Sequence, residues 1–293
     1  FKIVPGTELP LTAEPQHLDT PAGSGPVTHF HHVGDPDGLV FFSNTGNYFA
    51  LDPRMVPKWK GSEEIRRLDN ILEISAGERL EFVLPRRAFY GGRIIHVTAG
   101  GKGKATDASD FDYALDHEAR TAFGLNDGDR PIAVLAVPGG TGIFCASAHG
   151  RGIHFPDTEV RSMGNRAVGV NVMDVSGEDD EIVGAFTGHR VEHVAVITRD
   201  GLGKRVEFDE FRQQGRAGAG MQLARLNKDD QIAGVAPCHP SDDIVLSTSR
   251  GRVQRRPAGD FDLMGRPAKG NRVVDFADDE KLVEFARLPC SSD

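Results

Sequence analysis

Short runs of apolar and β-branched residues, each bounded by charged or glycine-containing turns, recur along nearly the whole chain. A glycine follows each run, and successive glycines are separated by 55, 49, 51 and 50 residues: Gly46, Gly101, Gly150, Gly201 and Gly251. Aliphatic residues repeat with nearly the same spacing: Val27, Leu80, Ile132, Ile182, Ile232 and Leu282. A repeat of this length, built from short strands, predicts a radial array of small sheets.

The repeat is clearest in residues 190–237. An apolar run at 194–197 is followed by a hairpin turn at Gly201, where glycine supplies the positive φ of a tight turn. A return strand at 203–208, a glycine-rich loop at 213–220, a third strand at 221–226 and a fourth at 232–235 complete the unit. Four short strands are the content of one propeller blade.

These repeats predict an all-β, six-bladed ring of four-stranded blades, with residues 1–289 forming one domain and 290–293 a tail. The predicted blades span approximately 1–33, 36–88, 91–138, 139–187, 190–237 and 241–289. Counting one period back from Gly46 puts the first turn before residue 1. The first blade is therefore expected to be truncated, its edge either unpaired or covered by another strand, and the chain to be a fragment of a longer polypeptide.

Charge is distributed unevenly along the chain. The net charge is −9, yet residues 199–272 carry 14 Lys and Arg against 10 Asp and Glu. Binding responds to the local potential, so this stretch keeps a polyanionic partner possible. No apolar run approaches the roughly 20 residues of a membrane-spanning helix. The three separated cysteines argue against a structural zinc site and favour a reducing compartment.

Three segments carry a resemblance to a known family: 200–205 (DGLGKR), 249–253 (SRGRV) and 163–170 (MGNRAVGV). With the fifty-residue repeat, they resemble the C-terminal domain of the A subunit of bacterial type IIA topoisomerases, DNA gyrase and topoisomerase IV. The resemblance covers residues 1–288. It implies a β-pinwheel, a propeller-like ring whose rim binds and bends duplex DNA.

The resemblance also implies the context of the domain. The other partners would be the ATPase B subunit and the N-terminal cleavage domain of the same polypeptide, in the cytoplasm at the nucleoid. No cofactor is expected in this chain; an ATP-dependent parent isomerase would use ATP and Mg²⁺ elsewhere. The family's cleaving tyrosine follows an arginine, and none of the three tyrosines here does, so we expect the fragment to be non-catalytic.

One family feature is absent. Gyrase A subunits carry a basic, glycine-rich box in the long loop of the first blade, and the corresponding region, predicted at 12–23, has no Lys or Arg. The Gly-Lys-Gly-Lys run at 101–104 falls in a hairpin and is not the box. The chain is therefore predicted to resemble topoisomerase IV subunits, or gyrase-derived subunits that wrap DNA weakly.

Basic residues in the fifth and sixth blades are the main candidates for contacting DNA phosphates. They are Lys204, Arg205, Arg212, Arg216, Arg250, Arg252, Arg255, Arg256, Arg266, Lys269 and Arg272. Weaker candidates lie in the third and fourth blades: Lys102, Lys104, Arg151, Arg161 and Arg166. The arginines at 250, 252, 255 and 256 are the strongest group, because four cations in seven residues would repel one another without a polyanion.

Other functional classes have less support. The histidines at 29, 31 and 32 lack a carboxylate or cysteine to complete a metal site. The acidic pairs at 179–180, 229–230 and 278–279 recur with the blade spacing, which indicates turns and not a catalytic pair. No unique acid, base or nucleophile cluster supports an enzyme in the channel. A protein-interaction scaffold with vestigial DNA binding remains the alternative.

Overall fold

The computed structural model describes residues 16–17, 31, 37–56, 68, 71–112, 117–277 and 279–290. These residues form twenty short β-strands joined by turns and 3₁₀ segments, with no α-helix among them. The strands are β1 (Gln16–His17), β2 (Leu39–Ser43), β3 (Asn47–Leu51), β4 (Leu80–Pro85), β5 (Arg93–Thr98), β6 (Lys102–Asp107), β7 (Arg120–Thr121), β8 (Pro131–Val137), β9 (Gly142–Ser147), β10 (Arg151–Pro156), β11 (Val170–Asn171), β12 (Ile182–Thr187), β13 (His193–Thr198), β14 (Leu202–Glu207), β15 (Met221–Gln222), β16 (Ile232–Cys238), β17 (Asp243–Thr248), β18 (Arg252–Pro257), β19 (Asn271–Arg272) and β20 (Leu282–Leu288).

Each four-stranded antiparallel sheet combines three strands of one repeat with one strand of another. The fifth blade has the order β16-β13-β14-β19, in which β19 comes from the sixth repeat and pairs Arg272 with Leu202. The third strand of a repeat follows a long loop, and that loop carries the strand to the preceding blade. The prediction that one repeat supplies all four strands of its own blade is therefore wrong in this detail. We call β1, β7, β11, β15 and β19 the donated strands.

The N-terminal segment supplies the donated strand of the last blade. Gln16 pairs with Val253 and His17 with Arg252, so β1 covers the edge of β18. The described residues form five such sheets, and the prediction of six blades is not met by them. We keep the predicted numbering, so these five sheets are the second to sixth blades. The predicted first blade, 1–33, lies outside the described residues except for β1 and His31. The all-β, propeller-like architecture is confirmed.

Apolar side chains fill the spaces between neighbouring sheets. Phe144 of the fourth blade shares a core with Val196 of the fifth, and Ala195 of the fifth shares one with Leu246 of the sixth. The strands at one edge of each sheet, β4, β8, β12, β16 and β20, contact their counterparts in adjoining sheets and are the innermost strands. The donated strands occupy the opposite edge and therefore face outwards.

The hairpin glycine of each repeat is where the donated segment approaches most closely. Gly201 has φ = 83°, and a Cβ there would lie 2.5 Å from the carbonyl oxygen of Val274, in the segment that follows β19. The Val273 N–H donates to the Gly201 carbonyl at 2.9 Å. The same position in other repeats is equally restricted, at Gly46, Gly101 and Gly150. Glycine is required here both for the turn and for the neighbouring backbone.

We expect Gly201→Ala to destabilise the domain, since the left-handed backbone alone costs about 1–2 kcal/mol and the new methyl group would collide with a carbonyl. The matched control is Gly215→Ala, because Gly215 is exposed and nothing lies within 4 Å of its added Cβ. Thermal unfolding of both variants checks this. Equal melting temperatures for the two would contradict the role assigned to the turn.

Candidate nucleic-acid interface

The donated strands and the loops that precede them form the outer edge of the ring, which we call the rim. The loop before β19 contacts two preceding blades. In the loop before β19, the Met264 N–H donates to the Arg205 carbonyl of the fifth blade at 2.9 Å. The Arg266 guanidinium donates to the Gln222 carbonyl at 3.3 Å, on the strand donated to the fourth blade. Rim loops of successive repeats therefore overlap in this part of the ring.

Lys104 and Lys204 occupy the same position of two blades and lie in the interior, each 1% exposed. The Lys204 ammonium donates to the carbonyls of Gly265 at 3.0 Å and Arg266 at 2.6 Å. Lys104 donates to Ala122 at 2.7 Å and Gly164 at 3.0 Å. Burial lowers the pKa of both lysines to about 8. The prediction that they contact phosphates is wrong, because both ammonium groups are used to hold rim loops.

Arg205 is likewise internal, with 8% of its surface exposed. Its guanidinium donates to the carbonyls of Phe261 at 2.8 Å and Gly259 at 3.4 Å. The prediction of a phosphate contact is wrong for this residue too. Strand β14 was expected to present Lys204 and Arg205 to solvent, but the loop of the sixth repeat covers it.

Arg216 and Arg266 are half-buried equivalents that tie three repeats together. Arg216 donates to the carbonyls of Glu159 at 3.0 Å and Asn171 at 2.7 Å. Arg266 lies 3.6 Å from the Glu210 carboxylate, and its guanidinium lies over the Phe211 ring at 5.8 Å from the centroid. Much of their hydrogen-bonding capacity is therefore used within the protein, and a DNA contact by either stays a prediction.

The arginine group at 250, 252, 255 and 256 is largely neutralised by carboxylates. Arg252 forms a salt bridge with the buried Glu280, with one guanidinium–carboxylate distance of 2.7 Å. Arg255 is paired with Asp243 at 2.8 Å and Arg256 with Asp260 at 3.4 Å. Acids from within the sixth repeat supply the countercharge of these three, so the prediction that the group needs a polyanion is wrong for them. Arg250 is exposed.

The carboxylate of Glu280 shows how strongly this network is built. Burial by itself would raise the pKa of Glu280, but hydrogen bonds from Arg252 and Thr248 outweigh that effect and hold the pKa at about 2. The N–H of Ala277 donates to the same carboxylate at 3.0 Å. Glu280 thus stays ionised, and Arg252 is committed to it at neutral pH.

Of the other candidates, three have polar partners and four are exposed without a salt bridge in the described part of the chain. Lys102 donates to Asn171 at 2.6 Å, Lys269 donates to Asn227 at 2.6 Å, and Arg272 is 3.8 Å from Asp275. The four exposed side chains are Arg161, Arg166 and Arg212 in rim loops and Arg151 in β10, where it pairs with the donated strand β15; we call them the free rim arginines. Three of them were ranked as weaker candidates from the sequence.

Sequence reasoning missed Arg225, which is exposed shortly after the donated strand β15. Arg225 could have been found from its place in the repeat, at the outer edge of the blade, because no basic cluster surrounds it in the sequence.

The acidic pairs were assigned correctly as turns. Asp179 and Asp229 have φ of 58° and 64°, and the Asp230 carboxylate accepts from the N–H groups of Asp200 at 3.1 Å and Gln231 at 2.9 Å.

Comparison with known families agrees with this architecture. Residues 143–187, 192–239 and 242–289 match the family described as DNA gyrase C-terminal domain, beta-propeller. These three repeats are similar to those of the DNA gyrase C-terminal domain family. The matched segments are the fourth, fifth and sixth repeats, and the first two of these carry the free rim arginines.

Relatives and solved structures extend the similarity. The A subunit of DNA gyrase from Salmonella typhimurium is 30% identical over 186 residues, which is 63% of this chain and 21% of that protein. Its counterpart from Ureaplasma parvum is 28% identical over 191 residues, 64% of this chain and 22% of that protein. The chain thus spans about a fifth of the length of these relatives.

The crystal structure of the C-terminal domain of DNA topoisomerase IV is similar with a TM-score of 0.78 and 25% identity, covering 86% of this chain and 79% of that one. The DNA gyrase A C-terminal domain also gives a TM-score of 0.78, at 19% identity, covering 97% and 94%. The latter likeness shows the fold alone. Among the described residues of this gyrase-like domain, no helix has the length and apolar character needed to cross a membrane.

We expect Lys204→Met to lower the free energy of unfolding by about 1–3 kcal/mol, because the carbonyls of Gly265 and Arg266 lose their donor. Lys228→Met is the control, since Lys228 is exposed. Denaturant unfolding of the two variants measures the difference. A Lys204→Met protein as stable as the control would contradict the assignment of Lys204 as the residue that holds the loop.

The pH dependence of the same pair of variants is a separate prediction. Burial lowers the pKa of Lys204 from 10.5 to about 8, so between these values the unfolded chain binds more protons than the folded one. Stability contributed by this lysine is therefore smallest below pH 8 and rises towards pH 10.5. The stability difference between the unaltered protein and Lys204→Met should widen from pH 7.5 to pH 9.5. A stability difference that narrows over this pH range would contradict the lowered pKa of Lys204.

Proposed function

We propose that this domain binds duplex DNA along its rim without reading base sequence, and bends it, as the C-terminal part of a type IIA topoisomerase A subunit. The observation that carries the proposal is the set of free rim arginines, which are exposed on the blades that match the gyrase family. The match to that family supports DNA as the polyanion that they contact.

Phosphate contacts are sufficient for such binding. Duplex DNA carries one charge per about 1.7 Å of axis, and each phosphate neutralised by an arginine releases condensed counterions. Bending 20–30 base pairs by 40–90° costs on the order of 1–6 kcal/mol, which several phosphate contacts can offset. Backbone contacts position DNA without reading its sequence, so this mode needs no recognition helix.

The remaining context is part of the same proposal. The domain would act in the bacterial cytoplasm, attached to the cleavage domain of its own polypeptide and working with an ATPase subunit that uses ATP and Mg²⁺. It would guide a DNA segment for strand passage. The segment predicted to correspond to the gyrase box lies outside the described residues apart from β1.

The position of β1 refines that correspondence. Loops 163–169 and 264–270 directly precede their donated strands, so the counterpart of the box is 9–15, three residues earlier than predicted. This segment also contains no Lys or Arg. Wrapping weaker than that of a gyrase with the box is therefore proposed.

A scaffold for protein partners is less well supported. Its expected sign was an exposed apolar patch, and the large exposed hydrophobic residues among those described lie in different elements: Met55, Tyr90, Leu263 and Val283. Single exposed apolar side chains are normal on protein surfaces.

The experiment is binding of the chain to a linear duplex of about 40 base pairs over a salt series. Neutralising four phosphates gives a slope of log K against log salt of about −4. Absence of binding at low salt would overturn the proposal and favour the scaffold function.

Variants distinguish free from paired arginines. Arg151→Gln should reduce the magnitude of the slope by about one unit, because its side chain is exposed. Arg255→Gln should instead lower thermal stability and leave the slope nearly unchanged, because it removes the salt bridge with Asp243. Arg190→Gln, also exposed but in the turn between β12 and β13, is the control. A larger change of the salt slope for Arg255→Gln than for Arg151→Gln would contradict the distinction between paired and free arginines.

A further inference from the structure

One exposed position recurs on the rim of four blades. At the end of β6, β10, β14 and β18 the chain makes a 3₁₀ turn that closes on a buried residue: Phe111, Val160, Phe211 and Phe261. The N–H of each buried residue donates back to the first residue of its turn. Because this residue is anchored inside, the next one is directed outwards. We call that next residue the rim position.

The rim position of each blade lies over the blade before it. The Arg161 carbonyl accepts from the N–H of Ala105 in β6 at 3.1 Å, and the Asp262 carbonyl accepts from the N–H of Arg205 in β14 at 2.8 Å. The N–H of Asp112 donates to the Tyr48 hydroxyl in β3 at 3.0 Å. Arg161 and Asp262 therefore lie at the same height of the blades that they cover, and Asp112 and Arg212 hold the same place in their own repeats.

The charge at this position changes sign twice around the ring. In chain order the residues are Asp112, Arg161, Arg212 and Asp262, and all four are exposed. Asp112 shares Arg120 with Glu118, at 3.4 and 3.8 Å, so this end keeps a net negative charge, and the Asp112 side chain remains 62% exposed. Asp262 accepts a hydrogen bond from Asn271. Both acids are thus fixed on the surface that a DNA backbone would follow.

The surroundings reinforce the pattern. Arg151 and Arg166 are exposed in the fourth repeat and add positive charge between the two acids. Beyond Asp262 the arginines of β18 are neutralised, Arg252 by Glu280 and Arg255 by Asp243. A phosphate backbone is therefore attracted over the middle of this arc and repelled at both of its ends.

We propose that, along the part of the rim that the structure describes, the DNA segment is held over the arc between Asp112 and Asp262, and that these two acids set where the duplex leaves this arc. The inference rests on the proposed function and adds to it the length and the place of the contact. It accounts for a domain that bends a short segment and does not wrap DNA around the whole ring.

Removing or reversing the charge of Asp262, one of the two terminal acids, tests this proposal, because a gain of DNA binding cannot result from misfolding. Asp262→Asn should strengthen binding to the 40-base-pair duplex, and Asp262→Arg should strengthen it further. Asp262→Arg should steepen the salt slope by about one unit and lengthen the hydroxyl-radical footprint. The control is Glu178→Arg, which makes the same charge change in an exposed turn before the innermost strand β12.

A second experiment removes the two arginines at the centre of the arc. Arg161→Gln with Arg212→Gln should lower the magnitude of the slope by about two units with an unchanged melting temperature. If the unaltered chain binds duplex but Asp262→Arg gains no more than Glu178→Arg, or the double variant binds as before, the arc is overturned and DNA lies elsewhere. If the unaltered chain does not bind duplex at all, the proposed function itself fails.

Discussion

Pairing of the donated strands is the interaction on which the structure depends. A blade of three strands has an open edge, and an open edge exposes unpaired N–H and C=O groups. A strand of only two residues from the next repeat covers that edge, as Met221 and Gln222 do for β10. The same pairing brings each long loop to the outside of the ring. Closure of the blades and construction of the rim are thus one event, and a loop cannot be displaced without exposing an edge.

This arrangement explains why many basic residues do not face solvent. A rim loop that crosses a neighbouring blade brings its carbonyl groups over that blade, and buried carbonyls need donors. Lys104, Lys204, Arg205 and Arg216 are these donors. A long side chain with several donors suits carbonyls whose spacing varies from blade to blade. Part of the positive charge in residues 199–272 is therefore used to assemble the ring, and a smaller part is left for a ligand.

The architecture could be predicted from the sequence because its signal is local and repeated. The apolar runs, the hairpin glycines and the acidic turns each recur at one spacing, and the structure places them as β-strands and turns. Strand donation could not be predicted, because the sequence pattern of the two residues of β19 is compatible with pairing to the edge of either β18 or β14. The error over Arg252 and Arg255 has a similar origin. Their partners Glu280 and Asp243 lie 28 and 12 residues away, so the density of arginines in the sequence did not reveal the charge balance in space.

A chain of net charge −9 can still present a positive surface to DNA if its charges are separated by more than the screening distance. Arg161 lies level with Ala105, three residues along β6 from Lys102, and the hairpin before β6 holds Gly100, whose N–H donates to the acidic side chain of Asp129. At about 3.3 Å per residue the separation along the strand is about 10 Å, whereas the Debye length at physiological salt is about 8 Å. The acids that cap the hairpins are therefore screened from a duplex at the rim position. At about 0.01 M salt the Debye length reaches about 30 Å, so a duplex experiences the whole negative chain and the gain from counterion release is partly opposed. The two effects act in opposite directions as salt falls, and the rim arginines determine binding most directly near physiological ionic strength.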